Sequence, residues 1–219
     1  MGKSDKPIVP VAIASDFLGS ASEASSLPAS LYVEVAFAGR SNVGKSTLLN
    51  LLLGRKLAHT SSTPGRTRTL NFFSVTTRNK STLSFVDLPG YGFAKRAKGE
   101  RYAWGELVER YLLERPALGL VVVLVDSRRG CEEDDLELLK MLKDEKSGRP
   151  APEVLIVATK LDKLPLAQRK PQLALLAKTG PRVHGVAASD PASIAELWRR
   201  ILKSLGLEGT QATAQATEE

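Results

Sequence analysis

Apolar positions along this chain alternate between two spacings. Short unbroken runs are followed by stretches in which large apolar side chains recur every three or four residues, the signatures of buried strands and one-sided helices. Val33 to Ala38 is a mostly apolar run, and Thr47 to Leu53 continues it as a helix. Leu70 to Thr77 and Thr82 to Asp87 read as two strands joined by the polar turn Arg78-Asn79-Lys80-Ser81. Trp104, Leu107, Val108, Tyr111 and Leu112 share one helical face, and Pro116 ends that helix. Leu118 to Asp126 is β-branched and apolar without alternation, as expected of a strand buried on both faces, and Val154 to Ala158 reads the same way. Leu136, Leu139 and Leu142 mark a helix whose first turn holds Glu132, Glu133, Asp134 and Asp135. Acids there suit the positive end of the helix dipole, so the cluster reads as capping rather than metal binding. Leu166 to Thr179 is helical in pattern, but Pro171 must kink or restart it. Arg182 to Ala187 is a short strand, and Ile194, Leu197, Trp198, Ile201, Leu202 and Leu205 form an amphipathic stripe behind Pro191.

This succession predicts an α/β fold. The expected form is a three-layer sandwich with a mostly parallel six- or seven-stranded sheet and helices on both faces. Ligands then sit at the carboxyl ends of the strands. Residues 1–30 read as a partly ordered lead-in, with Val9 to Ile13 as a candidate edge strand. Residues 31–207 form the folded domain. Residues 208–219 carry no large apolar side chain and are expected to be disordered.

Composition narrows the picture. The chain has 219 residues, 42% of them hydrophobic, which suffices for one domain with its own core. No apolar run approaches the ~20 residues of a membrane helix, and the first residues lack the apolar core of a secretion signal. The single cysteine, Cys131, excludes an intrachain disulfide and a multi-cysteine metal site. A reducing, cytoplasmic compartment follows as the expectation. A net charge of +7 favours polyanionic partners, whereas 5% aromatics do not advertise base stacking. Neither a membrane nor DNA is an expected partner, and a monomer is expected.

The chemistry begins at Gly39-Arg40-Ser41-Asn42-Val43-Gly44-Lys45-Ser46, which fits the Gly-x-x-x-x-Gly-Lys-Ser phosphate loop in its required strand–loop–helix context. Gly39 to Ser46, with Thr47, are the expected phosphate-binding residues: backbone N–H groups wrap the anion and the helix N-terminus adds positive potential. Lys45 reaches the β- and γ-phosphates, and the Ser46 hydroxyl ligates Mg²⁺. Asp87-Leu88-Pro89-Gly90 ends a strand, where Asp87 can hold Mg²⁺ and the Gly90 N–H can bond the γ-phosphate. Thr159-Lys160-Leu161-Asp162 ends a later strand. The Asp162 carboxylate can accept from guanine N1 and N2, which adenine cannot match, while Lys160 lies over the base and sugar and braces the phosphate loop. Between the first helix and second strand, Thr60 to Thr69 is small, polar and marked by Pro64 and Gly65. A threonine there, Thr67 in preference to Thr63 or Thr69, completes the Mg²⁺ shell and releases it after hydrolysis.

Together these segments resemble the EngB/YihA/YsxC family of bacterial ribosome-biogenesis GTPases, within the Era-like translation-factor class. The resemblance runs from about Val33 to Leu205. It rests on Val35 to Ser46, Thr63-Pro64-Gly65-Arg66-Thr67, Asn71-Phe72-Phe73, Asp87 to Gly92, and Thr159 to Leu164. It implies GTP hydrolysis to GDP with Mg²⁺, a first switch containing Gly65, Arg66, Thr67, Arg68 and Thr69, and action on the large ribosomal subunit and its rRNA with consequences for cell division and septation. It also implies that Ala187-Ala188-Ser189 is the loop whose backbone contacts guanine O6. The family has serine at the position of Ala187, so side-chain support is expected to be missing there. Tyr91 occupies the place of the water-orienting glutamine of Ras-like proteins, which implies slow intrinsic turnover and a side chain that points away. Asn42 matches an asparagine that binds K⁺ in some related GTPases, making K⁺ a candidate cofactor. Lys95, Arg96, Lys98 and Arg101, with Arg55, Lys56, Arg66 and Arg68, form a basic rim suited to rRNA. The rival readings are a P-loop ATPase or kinase, and an RNA-binding assembly factor with negligible hydrolysis.

Overall fold

A computed structural model describes residues 12–58, 69–92, 106–143, 150–180 and 182–208. The strands are β1 (Ala12–Ala21), β2 (Glu34–Gly39), β3 (Leu70–Thr77), β4 (Thr82–Asp87), β5 (Leu118–Asp126), β6 (Glu153–Thr159) and β7 (Val183–Gly185). They form a seven-stranded sheet in the order β1-β3-β4-β2-β5-β6-β7. From β4 to β7 the neighbours are parallel, and the β1–β3 and β3–β4 pairs are antiparallel. The helices are α1 (Lys45–Leu53), α2 (Glu106–Glu114), α3 (Glu133–Leu142), α4 (Leu166–Leu176) and α5 (Pro191–Ser204).

The unbroken apolar runs have a simple cause. Side chains of a strand alternate between faces, and here both faces are covered. Val35 and Phe37 of β2, with Leu120, Val122 and Leu124 of β5, pack with Leu49 and Leu52 of α1 and Leu197, Trp198 and Ile201 of α5. Ala36, Ala38, Val121, Val123 and Val125 point the other way, onto Val108 and Leu112 of α2, Leu138 and Leu142 of α3 and Leu176 of α4. Trp198 stacks on Phe85 at 5.2 Å between ring centres. At the start of β2, the buried Glu34 carboxylate is held by Arg115 at 2.7 Å and by the Tyr111 hydroxyl at 2.9 Å, so its charge is compensated.

Helix ends follow local chemistry. Asp190 caps α5 by accepting from the Ala192 N–H at 3.0 Å, with Pro191 in the first turn. Acidic residues fill the first turn of α3, whose amide at Glu132 donates to the Asp135 carboxylate at 2.9 Å. Trp104 lies outside the described residues, but Val108, Tyr111 and Leu112 of the same stripe are buried.

Three expectations need correction. The stretch from Ala14 to Ala21, read as loose lead-in, belongs to edge strand β1. Irregularities at Ala12/Ala14 and Phe17/Gly19 shift its alternation, and its buried positions include the small residues Ser15 and Ala21, so no period-two apolar signal survives. Helix α4 continues through Pro171 without restarting. The carbonyl that would otherwise receive a bond from residue 171 belongs to Ala167, which is exposed, so water can satisfy it. Strand β7 covers three residues rather than the six read for it.

Candidate phosphate and base site

The carboxyl ends of β2, β4, β5 and β6 converge on one edge of the sheet, and the motif residues stand there. Strand β2 ends at Gly39, where a Cβ would meet the Val43 side chain at 2.9 Å and Leu124 at 3.1 Å; only glycine lets the loop fold back this closely. The loop closes with the Val43 N–H on the Arg40 carbonyl at 3.1 Å. Asn42 takes φ +63° and Gly44 φ +104°, turning the chain into α1, whose N-terminus carries no side-chain cap. The amides at Lys45 to Thr47 thus open α1 without a side-chain cap, at the positive end of the helix.

Lys45 is ion-paired with Asp87 at the end of β4, and both side chains are about nine-tenths buried. Burial pushes the Asp87 carboxyl above its ordinary pKa, and the Lys45 ammonium opposes that shift. Leu88 and Pro89 are buried, with the Leu88 N–H on the Phe37 carbonyl at 3.1 Å. Gly90 lies against the phosphate loop: a Cβ would come within 3.1 Å of Ser41 Oγ. The next residue is stitched to the loop by the Ser41 N–H on the Tyr91 carbonyl at 2.9 Å and the Tyr91 N–H on the Gly39 carbonyl at 3.3 Å.

The end of β6 braces the same loop from the other side. The Thr159 hydroxyl donates to the Val43 carbonyl at 2.7 Å, and Lys160 Nζ donates to the Asn42 carbonyl at 2.6 Å. Lys160, at φ +57°, also meets Asp126 at 3.1 Å. Leu161 donates its N–H to the Val186 carbonyl at 3.2 Å, which sets the turn Leu161–Lys163 beside the segment Ala187-Ala188-Ser189. Asp162 stands in that turn with its side chain 30% exposed and Lys163 Nζ 3.5 Å away. Ala188 and Ser189 are exposed at the tip of their loop, while Ala187 is buried.

Gly65, Arg66, Thr67 and Arg68, with Thr63, lie outside the described residues, as do Lys95, Arg96, Lys98 and Arg101. Thr69 is described, half-buried just before β3.

Other side chains at the site act in ways the motifs do not show. Asp126 ends β5 and accepts from Arg128 at 2.7 and 2.9 Å and from Lys160; Arg128 above all holds its carboxyl well below the usual range. Its only sequence signal is a carboxylate at the end of a buried strand, the position class of Asp87. Arg40 belongs to the phosphate loop by its backbone, but its guanidinium turns away to Glu132 at 2.7 Å and to the Gly92 carbonyl at 3.3 Å. Tyr91 points into the interior, its hydroxyl donating to Asp135 at 2.6 Å. The acids at the start of α3 thus hold partners as well as the helix end. Ala187 brings no polar side chain of its own, and Ser193 Oγ accepts from the Ala187 N–H at 3.2 Å instead. A cavity of about 400 Å³ lies between Arg40–Val43, the end of β5 and the first turn of α3.

Cys131 is half-buried beside Thr179, and burial raises its thiol pKa, which disfavours the thiolate. Among the described residues no helix is long and apolar enough to cross a membrane.

A protein-family model described as 50S ribosome-binding GTPase matches residues 34–160. The "probable GTP-binding protein EngB" of Prosthecochloris aestuarii is 53% identical over 149 residues, covering 68% of this chain and 73% of the relative. The protein of the same description from Shouchella clausii is 44% identical over 193 residues, covering 84% and 91%. Among solved structures, Era of Aquifex aeolicus bound to GDP and AlF4⁻ superposes with a TM-score of 0.63 at 28% identity, over 78% of this chain and 56% of Era. The crystal structure of a probable GTP-binding protein EngB shares the fold, with a TM-score of 0.59 at 23% identity, over 79% and 98%. A phosphate loop braced from the ends of β4 and β6, and a family match spanning all three of those segments, lead to one conclusion: the chain belongs to the EngB family of GTPases.

Proposed function

We propose that this GTPase works as a Mg²⁺-dependent switch in assembly of the large ribosomal subunit, and through it in cell division. The observation that carries the nucleotide part is the double brace of Thr159 and Lys160 on the Val43 and Asn42 carbonyls. It ties the segment containing Asp162 to the phosphate loop, so that phosphate and base are held in one fixed relation. The family description, which names the 50S subunit, supports the ribosomal part, as does the net charge of +7. A neighbouring fold, Era, has been solved with MgGDPNP and a 16S rRNA fragment.

In this reading the amides from Gly39 to Thr47 wrap the phosphates, and Lys45 exchanges its Asp87 partner for the β- and γ-phosphate oxygens. Ser46 and Asp87 supply hydroxyl and carboxylate oxygens, the hard donors that suit Mg²⁺, with Thr67 completing the set. Mg²⁺ held by these oxygens would supply positive charge against the charge that develops on the transferred phosphoryl group. Gly90, seated on Ser41, directs its N–H at the γ-phosphate. Asn42, exposed on the loop's left-handed turn, offers its amide oxygen to K⁺. Asp162 accepts from guanine N1 and N2, and the backbone at Ala188 faces O6. The chain acts in the cytoplasm as a monomer.

Calorimetry with GTP and ATP tests the base reading. Asp162→Asn lowers the guanine-over-adenine preference by about 10- to 100-fold, the worth of a charged hydrogen bond; both nucleotides bound alike by the unaltered chain would refute it. Phosphate release in KCl and NaCl tests Asn42: potassium raises turnover, Asn42→Asp abolishes the difference, and equal rates in both salts exclude the ion. Turnover rises when large ribosomal subunits are added, and a lack of co-sedimentation with them would remove the ribosomal role.

A further inference from the structure

The loop Val186 to Asp190 has one anchor in the sheet and one in α5. Val186 is fixed on both sides, its N–H on the Ala158 carbonyl at 2.8 Å and its carbonyl receiving the Leu161 N–H. The Asp190 N–H closes a turn on the Ala187 carbonyl at 3.0 Å, leaving Ala188 and Ser189 exposed at its tip. Alanine at 187 brings no polar side chain to this turn. Ser193, in the first turn of α5, reaches back instead. Its hydroxyl accepts from the Ala187 N–H at 3.2 Å and donates to the Asp190 carbonyl at 2.8 Å, with the Ala187 carbonyl 3.1 Å away. Both ends of the turn are thus joined by one side chain. Ser193 is itself held: its carbonyl meets His184 Nε2 of β7 at 2.9 Å.

From this geometry we infer that Ser193 is the positioning residue of the base-reading loop, setting the exposed amides at Ala188 and Ser189 for recognition of the purine 6-oxo group. The inference rests on the guanine-site reading above. Ser193 touches no base; it acts through the turn it clasps. Removing its hydroxyl frees the Ala187 N–H and lets the tip wander, while the Asp162 turn keeps its own tie to Val186.

The two edges of guanine separate the effects. GDP and inosine diphosphate differ at the 2-amino group, which Asp162 reads. GDP and 6-thioguanosine diphosphate differ at position 6, where sulfur is the weaker acceptor. Calorimetry on the full chain is expected to show that Ser193→Ala weakens GDP binding about three- to tenfold and shrinks the preference for GDP over the 6-thio analogue in proportion. The preference for GDP over inosine diphosphate stays as it was, and Ser193→Thr, which keeps the hydroxyl, restores the first ratio. A Ser193→Ala protein with the 6-thio preference of the unaltered chain overturns the inference. So does an equal loss in both ratios, which marks general loosening of the site. Asp162→Asn serves as the control: if it leaves the preference over inosine diphosphate unmoved, the guanine-site reading fails and the inference falls with it.

Discussion

Asp126 is only 9% exposed and carries the charge that steadies Lys160. With Arg128 clamping both carboxylate oxygens, its charged form is favoured in the folded chain. The sign follows: a carboxyl depressed by folding contributes stability that is complete above its unfolded pKa of about 3.9 and is lost as pH falls toward the folded value. Asp126→Asn is therefore expected to cost about 1–3 kcal/mol at neutral pH. The gap between the two proteins in urea midpoint should hold from about pH 5 to 8 and shrink below about pH 4. A gap that persists unchanged at pH 2 would refute this account. Thr159, Lys160 and Asp162 were legible because their spacing follows a buried strand. Asp126 was not, because one aspartate at a strand end has no spacing to identify it.

At the scale of elements, the stretch after β4 is bound to α3. Tyr91 donates to Asp135, and Arg40 spans the Gly92 carbonyl and Glu132. Gly92 adopts φ +76° with the Arg40 guanidinium within 2.9 Å of where a Cβ would sit. Tyr91 is 6% exposed and Asp135 is 1% exposed, so Tyr91→Phe strands a buried acceptor at a cost of about 1–3 kcal/mol, measurable by chemical denaturation. The same orientation makes a sharper prediction for hydrolysis. Tyr91→Gln should turn over GTP no faster than the unaltered chain, because a side chain at 91 points at α3 rather than at a phosphate. A rate increase of tenfold or more would show that position 91 faces the nucleotide. Helix capping by the acids Glu132 to Asp135, which the sequence predicts, holds for the first turn of α3. Their second use depends on Arg40 and Tyr91, far off in sequence and close only after folding.

Over the whole molecule, the two cores meet back to back across the sheet, and β1 guards the edge of β3. Its register runs from Ala12 opposite Thr77 to Ala21 opposite Leu70, with Phe17 and Phe73 at 5.6 Å and the Ser15 hydroxyl on the Leu53 carbonyl at 2.7 Å. Deleting residues 1–21 strips those bonds and leaves β3 as an open edge. The thermal midpoint should fall by at least about 5 °C and the protein should aggregate on concentration. An unchanged midpoint with a monodisperse solution would show that β1 is dispensable.

The chain's own order of residues determined the strand and helix succession, the double burial of β2, β5 and β6, and the three segments at the strand ends. Each is a short-range pattern: periodicity records which faces are covered, and a phosphate loop or carboxylate turn is built from neighbours in the chain. Tertiary structure alone decided that β1 runs on through Ala14 to Ala21 along β3, that Arg40 leaves the phosphate loop for α3, that Asp126 supports Lys160 and that Ser193 stands in where Ala187 has no hydroxyl. Each is a polar contact closed through space, or a strand whose alternation is broken by irregularities. A hydrogen bond leaves no periodic trace in sequence, because only one partner atom on each side needs to arrive.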